Sequence, residues 1–177
     1  MVETELDSMN NDSTKTEGAS QCQPISTPVQ KTRLVADTEE NGNIRHDVFN
    51  EVINRYNQAI KDRYYLEAIT LIESLLCDRL ESVIGRVTKK PVTFMTYGIL
   101  KSIINKFNNV DLKQIKGLFP KLDDWFQHRN SAIHQMAKIS VANPQRSFQE
   151  KYNDVEKYAI DGISLFRSLD KAVRRIK

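Results

Sequence analysis

Tyr65-Leu66-Glu67-Ala68-Ile69-Thr70-Leu71-Ile72-Glu73-Ser74-Leu75-Leu76-Cys77-Asp78-Arg79-Leu80-Glu81-Ser82-Val83-Ile84-Gly85-Arg86 is the stretch that decides the fold. Ala68-Ile69, Ile72, Leu75-Leu76, Leu80 and Val83-Ile84 recur three and four residues apart, which places them on one wide face of an α-helix. A face that wide needs several neighbouring helices to cover it. Gly85 and Pro91 bracket its end, and a polar loop holding Lys89 and Lys90 follows. Upstream, Val48, Val52, Tyr56 and Ala59-Ile60 mark a helix from about Asp47, its expected N-cap, to Ile60. Lys61-Asp62-Arg63-Tyr64 reads as a tight turn, with Tyr64 and Tyr65 packing it. A third helix is predicted over about Phe94–Asn108. A short one spans Leu112–Phe119 and stops before Pro120. The next runs over about 121–140, with Asn143-Pro144 marking its end. The last opens at the capping-box spacing Ser147-Phe148-Gln149-Glu150 and runs to the basic end Arg174-Arg175-Ile176-Lys177. No segment alternates with period two. The sequence predicts an all-α antiparallel bundle of four or five main helices.

Residues 1–45 read differently. They are rich in Thr, Ser, Asn, Gln and Glu, and they lack any apolar period, so they cannot bury enough surface to offset the entropy of ordering. We read them as a disordered acidic and polar tail, and 46–177 as the helical domain. Eight acidic against four basic residues make the tail negative, whereas the rest holds 15 acidic and 22 basic residues. A basic compact domain attracts polyanions, nucleic acid first among them. The tail has no basic start and apolar core of a leader, and no run approaches the ~18 apolar residues of a membrane span. A cytoplasmic protein is the expectation. Cys22 and Cys77 are too few for a disulfide scaffold, and neither they nor His46, His128 and His134 show metal-ligand spacing. Six unclustered glycines form no phosphate loop, so no cofactor is expected.

One residue breaks the pattern. Leu122, Trp125, Phe126, Ala132, Ile133 and Met136 form a continuous stripe at helical spacing, and Arg129 sits in its middle. An unpaired guanidinium in a dry core costs several kcal/mol, so a carboxylate, a wet cleft or an anionic ligand must meet it. Glu67, Glu73 and Asp78 are candidate partners, Glu73 first because it flanks the Ile72/Leu76 stripe. Asn130 and His134, four apart, share the edge of the same stripe. His128 lies about 100° behind Arg129, on the expected solvent side.

Arg129-Asn130, three residues, then His134, on a late helix of a small helical domain, resembles the signature of the HEPN superfamily: an Arg, usually followed by a polar residue, and a His four to six residues on. Tyr64–Leu76 also resembles the first long helix of such domains, and the likeness covers roughly 47–176. The resemblance implies a homodimer that places both motifs at its seam. It further implies a metal-independent endoribonuclease of a toxin–antitoxin or antiviral system, with an antitoxin or regulatory protein as a further partner.

The residue types suit that chemistry. RNA is cut without metal when its own 2′-OH attacks the adjacent phosphate. The reaction needs a proton carrier near neutrality and a cation for the charge building on the phosphoryl oxygens. An imidazole, with its ordinary pKa near 6.5, serves the first need, and a guanidinium fork the second. Arg129, Asn130 and His134 are therefore the candidate catalytic residues, with Glu73 in support and Lys89 and Lys90 as weaker contacts for an RNA backbone. One His cannot comfortably act as base and acid on opposite sides of an in-line displacement, and a two-fold dimer supplies the second. The alternative is a catalytically silent helical module binding RNA, a nucleotide or a protein. A third reading is a scaffold that works through its acidic tail.

Overall fold

The computed structural model describes residues 38–136, 138 and 147–176. Five α-helices occupy most of them: α1 (Glu39–Lys61), α2 (Tyr65–Thr88), α3 (Tyr97–Lys106), α4 (Lys113–Gln135) and α5 (Phe148–Arg174), with a 3-10 turn at Val110–Leu112. The chain is an all-α bundle. No described helix is long and apolar enough to cross a membrane.

α2 is the hub. Ile69, Ile72, Leu76 and Leu80 are fully buried, each contributing about 1.5–3 kcal/mol relative to exposure. Its chief partner is α5, and the register of their contacts is informative. Tyr65 meets Tyr152, Ile72 lies against Gly162, Arg79 reaches Asp170, and Arg86 donates to the carbonyls of Val173 and Ile176. Both numbers rise together, so α2 and α5 run parallel. α1 crosses both in the opposite sense, with Arg55 on Glu67, Arg45 on Asp78 and Tyr56 donating to the Ala159 carbonyl. α4 also opposes α5, with Trp125 Nε1 donating to Tyr158 O at 2.9 Å and Arg175 donating to Gln114. One pole of the bundle thus gathers the starts of α2 and α5 and the ends of α1 and α4. At that pole Arg63 takes a left-handed φ of 61° in the α1–α2 turn. Tyr152 pins the turn, its hydroxyl donating to Arg63 O and accepting from the Tyr65 N–H.

Four boundaries differ from the sequence reading. α1 begins at Glu39, eight residues before Asp47, so 38–45 belong to the bundle and not to a tail. Thr38 caps it by accepting from the Asn41 N–H, Glu39 and Glu40 suit the helix dipole, and Arg45 bonds both oxygens of Asp78 at 2.8–2.9 Å. The rest of the expected disordered tail, 1–37, lies outside the described residues. α4 runs unbroken through Pro120, where two helices were expected. Pro120 is exposed, while Ile115, Phe119 and Leu122 on either side bury one continuous face, and this packing outweighs the backbone hydrogen bond a proline removes. α3 is shorter than predicted, starting at Tyr97, and α4 stops at Gln135, before the expected end. Asn143-Pro144 lies outside the described residues. The capping box at Ser147 is formed, with Ser147 Oγ accepting from the Glu150 N–H and Glu150 Oε2 accepting from the Ser147 N–H.

Candidate functional site

The apolar stripe of α4 faces the interior of a single chain. Leu122, Trp125, Phe126 and Ala132 are buried, and the Trp125 indole lies on Gly162 of α5, where an added Cβ would come within 3.0 Å of it. Arg129 therefore emerges from α4 toward α2, and there it meets Glu73. Arg129 Nη2 donates to Glu73 Oε2, and Nη1 donates to Asn130 Oδ1 at 2.7 Å. The pair is largely removed from water, with 19% of the arginine and 23% of the glutamate side chain exposed. Arg129 Nε is buried with no hydrogen-bond partner among the described residues. Two donors of the fork are thus held by the protein. A planar guanidinium fits this two-sided grip, which an ammonium does not.

Asn130 and His134 are both exposed. His134 stands in the last turn of α4, where a cation suits the carbonyl end of the dipole, and it has no hydrogen-bond or ion-pair partner among the described residues. The structure therefore joins Arg129, Asn130 and Glu73 by direct contacts and leaves His134 open at the bundle's pole. Lys89 and Lys90 do not join them. Lys89 ends α2 as a left-handed cap sixteen residues beyond Glu73, about 24 Å along the axis, at the opposite pole.

One turn along from Glu73, Cys77 shares this environment. Burial pushes its thiol up to about 12, helped by the negative charges of Glu73 and Glu81 and opposed by Arg129. The environment thus favours the protonated, weakly nucleophilic thiol. A second polar cluster ties α3 to α4: Lys101 Nζ bonds both oxygens of Asp123 at 2.6 and 2.8 Å, and Tyr97 donates to Asp123 Oδ1 at 2.7 Å while stacking on Phe126. Burial opposes ionisation of Asp123, but the bonds from Lys101 and Tyr97 outweigh it and hold the carboxyl below its usual range.

His128 is not the open surface residue its helical angle implied. α5 lies over it: its ring stacks on Tyr158 at 3.9 Å, and Nε2 is 3.1 Å from the Tyr158 hydroxyl and 3.5 Å from Asp124 Oδ1. It sits half-buried in an α4–α5 groove of about 420 Å³, also lined by Lys121 and Lys157. The Asp124/His128 spacing was visible in the sequence, but the ring that covers it comes from another helix.

No protein-family model, curated protein or solved structure matches this chain.

Proposed function

We propose that this chain is an RNA-cleaving enzyme of the HEPN type, acting as a two-fold homodimer whose two copies of Arg129, Asn130 and His134 share one cleft. The observation that carries this reading is an exposed imidazole, without a polar partner among the described residues, about one and a half turns from a guanidinium fixed in place by Glu73. In the reaction the 2′-oxygen forms a bond to phosphorus as the bond to the 5′-oxygen breaks. One His134 takes the 2′-hydroxyl proton, and the second copy's His134 gives a proton to the departing 5′-oxygen. The products are a 2′,3′-cyclic phosphate and a 5′-hydroxyl, and no metal ion takes part. Arg129 stabilises the charge on the phosphoryl oxygens, and Asn130, already bonded to the fork, orients it. A cytoplasmic toxin or antiviral role, restrained by an antitoxin or other regulatory protein, goes with this reading.

A second reading has an observation of its own. Glu73 neutralises Arg129 within one chain, so the arginine is accounted for without substrate or dimer, and a binding module without turnover satisfies the same contacts. The experiment that separates them is incubation of labelled RNA in EDTA with wild type and with His134→Ala. Cyclic-phosphate ends formed by wild type alone support the enzyme. Equal cutting by both proteins, or activity only on adding magnesium, overturns it. RNA retention without cutting favours the module.

A further inference from the structure

We propose that the pole beside His134 carries a stacking platform for single-stranded RNA, centred on Phe148; this rests on the RNA reading above. Phe148 opens α5 and leaves 59% of its surface in water, although a phenyl ring has no polar edge to place there. Its inner face rests on Tyr152 in stacked geometry, with ring centroids 5.8 Å apart, and Tyr152 in turn packs against buried Tyr65 at 5.5 Å. The Tyr152 hydroxyl is held by Arg63 O and the Tyr65 N–H, so the ring beneath Phe148 is fixed. The column Tyr65–Tyr152–Phe148 is thus rigid at its base and open at its top. Tyr64, 55% exposed, lies at the same pole.

Position ties the platform to the motif. Lys151, one turn into α5, donates to the Met136 carbonyl at 3.3 Å and also to the Lys138 carbonyl, clasping the end of α4 just two residues past His134. Lys61, Arg63 and Lys138 are exposed at this pole, as a phosphate backbone requires. The nearby carboxylates Asp62, Glu150 and Glu156 are engaged, by Gln58, by the capping box and by the Tyr65 hydroxyl. An open aromatic face amid cations fits a splayed base of a single strand, whose π-face any sequence offers. A duplex, with its bases stacked on one another, has none to give.

The test measures binding of a fluorescein-labelled, fully 2′-O-methylated 12-nucleotide single strand, which lacks the attacking hydroxyl and cannot be cut, by anisotropy with the full chain. Phe148→Ala and Phe148→Leu should weaken binding at least about fivefold, while Phe148→Trp keeps it. The same strand in a duplex should bind more weakly than free. Wild-type affinity in the Leu variant, or no binding by wild type, overturns the platform. So does weakened binding accompanied by loss of a dimer in sedimentation, because a second copy then covers the ring. Phe148-dependent binding by a protein that cuts no RNA upholds the platform and removes the nuclease. His134-dependent cutting with KM unchanged in Phe148→Ala does the reverse.

Discussion

Arg129 and Glu73, fifty-six residues apart in sequence, meet between α4 and α2 with most of both side chains out of water. This contact explains how an arginine tolerates the middle of an apolar stripe, and it also fixes the guanidinium beside the open end of α4.

Glu73→Ala leaves that guanidinium partly buried and uncompensated, so we expect a loss of about 1–3 kcal/mol, below the range for a fully buried pair. Urea unfolding should show a lower midpoint at unchanged slope. Arg129→Lys should also lose stability, since one ammonium cannot hold Glu73 and Asn130 in the same planar grip. A midpoint unmoved by Glu73→Ala would mean the pair contributes nothing.

His134→Ala should behave in the opposite way. The imidazole is exposed and touches no described polar group, so stability should stay within about 0.5 kcal/mol of wild type. RNA turnover in EDTA should fall by at least ~10²-fold, the scale for losing a positioned acid–base. Unfolding curves and single-turnover kinetics on the same preparation separate the two effects.

Gly162→Ala should destabilise the junction of α2, α4 and α5. Its Cβ would lie 3.0 Å from Ile72 Cγ2 and 3.0 Å from Trp125 Nε1, and the indole is tethered to Tyr158 O. Alanine gains about 1 kcal/mol of helix propensity, while overpacking costs about 1–3 kcal/mol, so the net expectation is a loss near 1 kcal/mol. Trp125 is the single tryptophan, and its emission should shift in the variant. A higher midpoint would show that the junction yields freely.

Stability should fall on the alkaline side. The fold favours the neutral Cys77 thiol, raised from 9.0 to about 12, and burial with the Asp123 contact likewise raises the Tyr97 phenol. A raised folded pKa gives stability that is whole below the unfolded pKa and is lost as pH climbs through the folded one. The Cys77 contribution therefore declines between about pH 9 and 12. Urea midpoints at pH 8 and 10.5 should differ, and Cys77→Ala should shrink the difference. An equal drop in the variant would assign the effect to the tyrosines alone.

Features that depend on a few adjacent residues were legible in the sequence. The Ser147/Glu150 box closes within one turn, and the α2 stripe announces a helix covered on several sides. Glu73 was readable as the partner of Arg129, because its place beside Ile72 and Leu76 aims it at whatever packs there. Features set by distant contacts were hidden. Glu39–His46 carries no apolar stripe, and its anchor, Arg45 on Asp78, spans thirty-three residues. Pro120 looked like a stop because the local rule is strong, yet burial of Phe119 and Leu122 continues the helix. His128 seemed open because Tyr158, which covers it, belongs to α5. For the site, the residue types were visible, whereas the separation of Lys89 from the motif follows only from the length of α2.

The parallel pairing of α2 and α5 has a consequence for synthesis. Tyr65 bonds Tyr152, and Arg86 reaches Val173, across eighty-seven residues each. The hub helix therefore emerges long before its main cover exists. While the intervening chain is being made, the core face of α2 has only α1, then α3 and α4, to lean on, which leaves a greasy flank exposed to chaperones and to other nascent chains. The main cover of α2 can close only when residues 148–174 arrive.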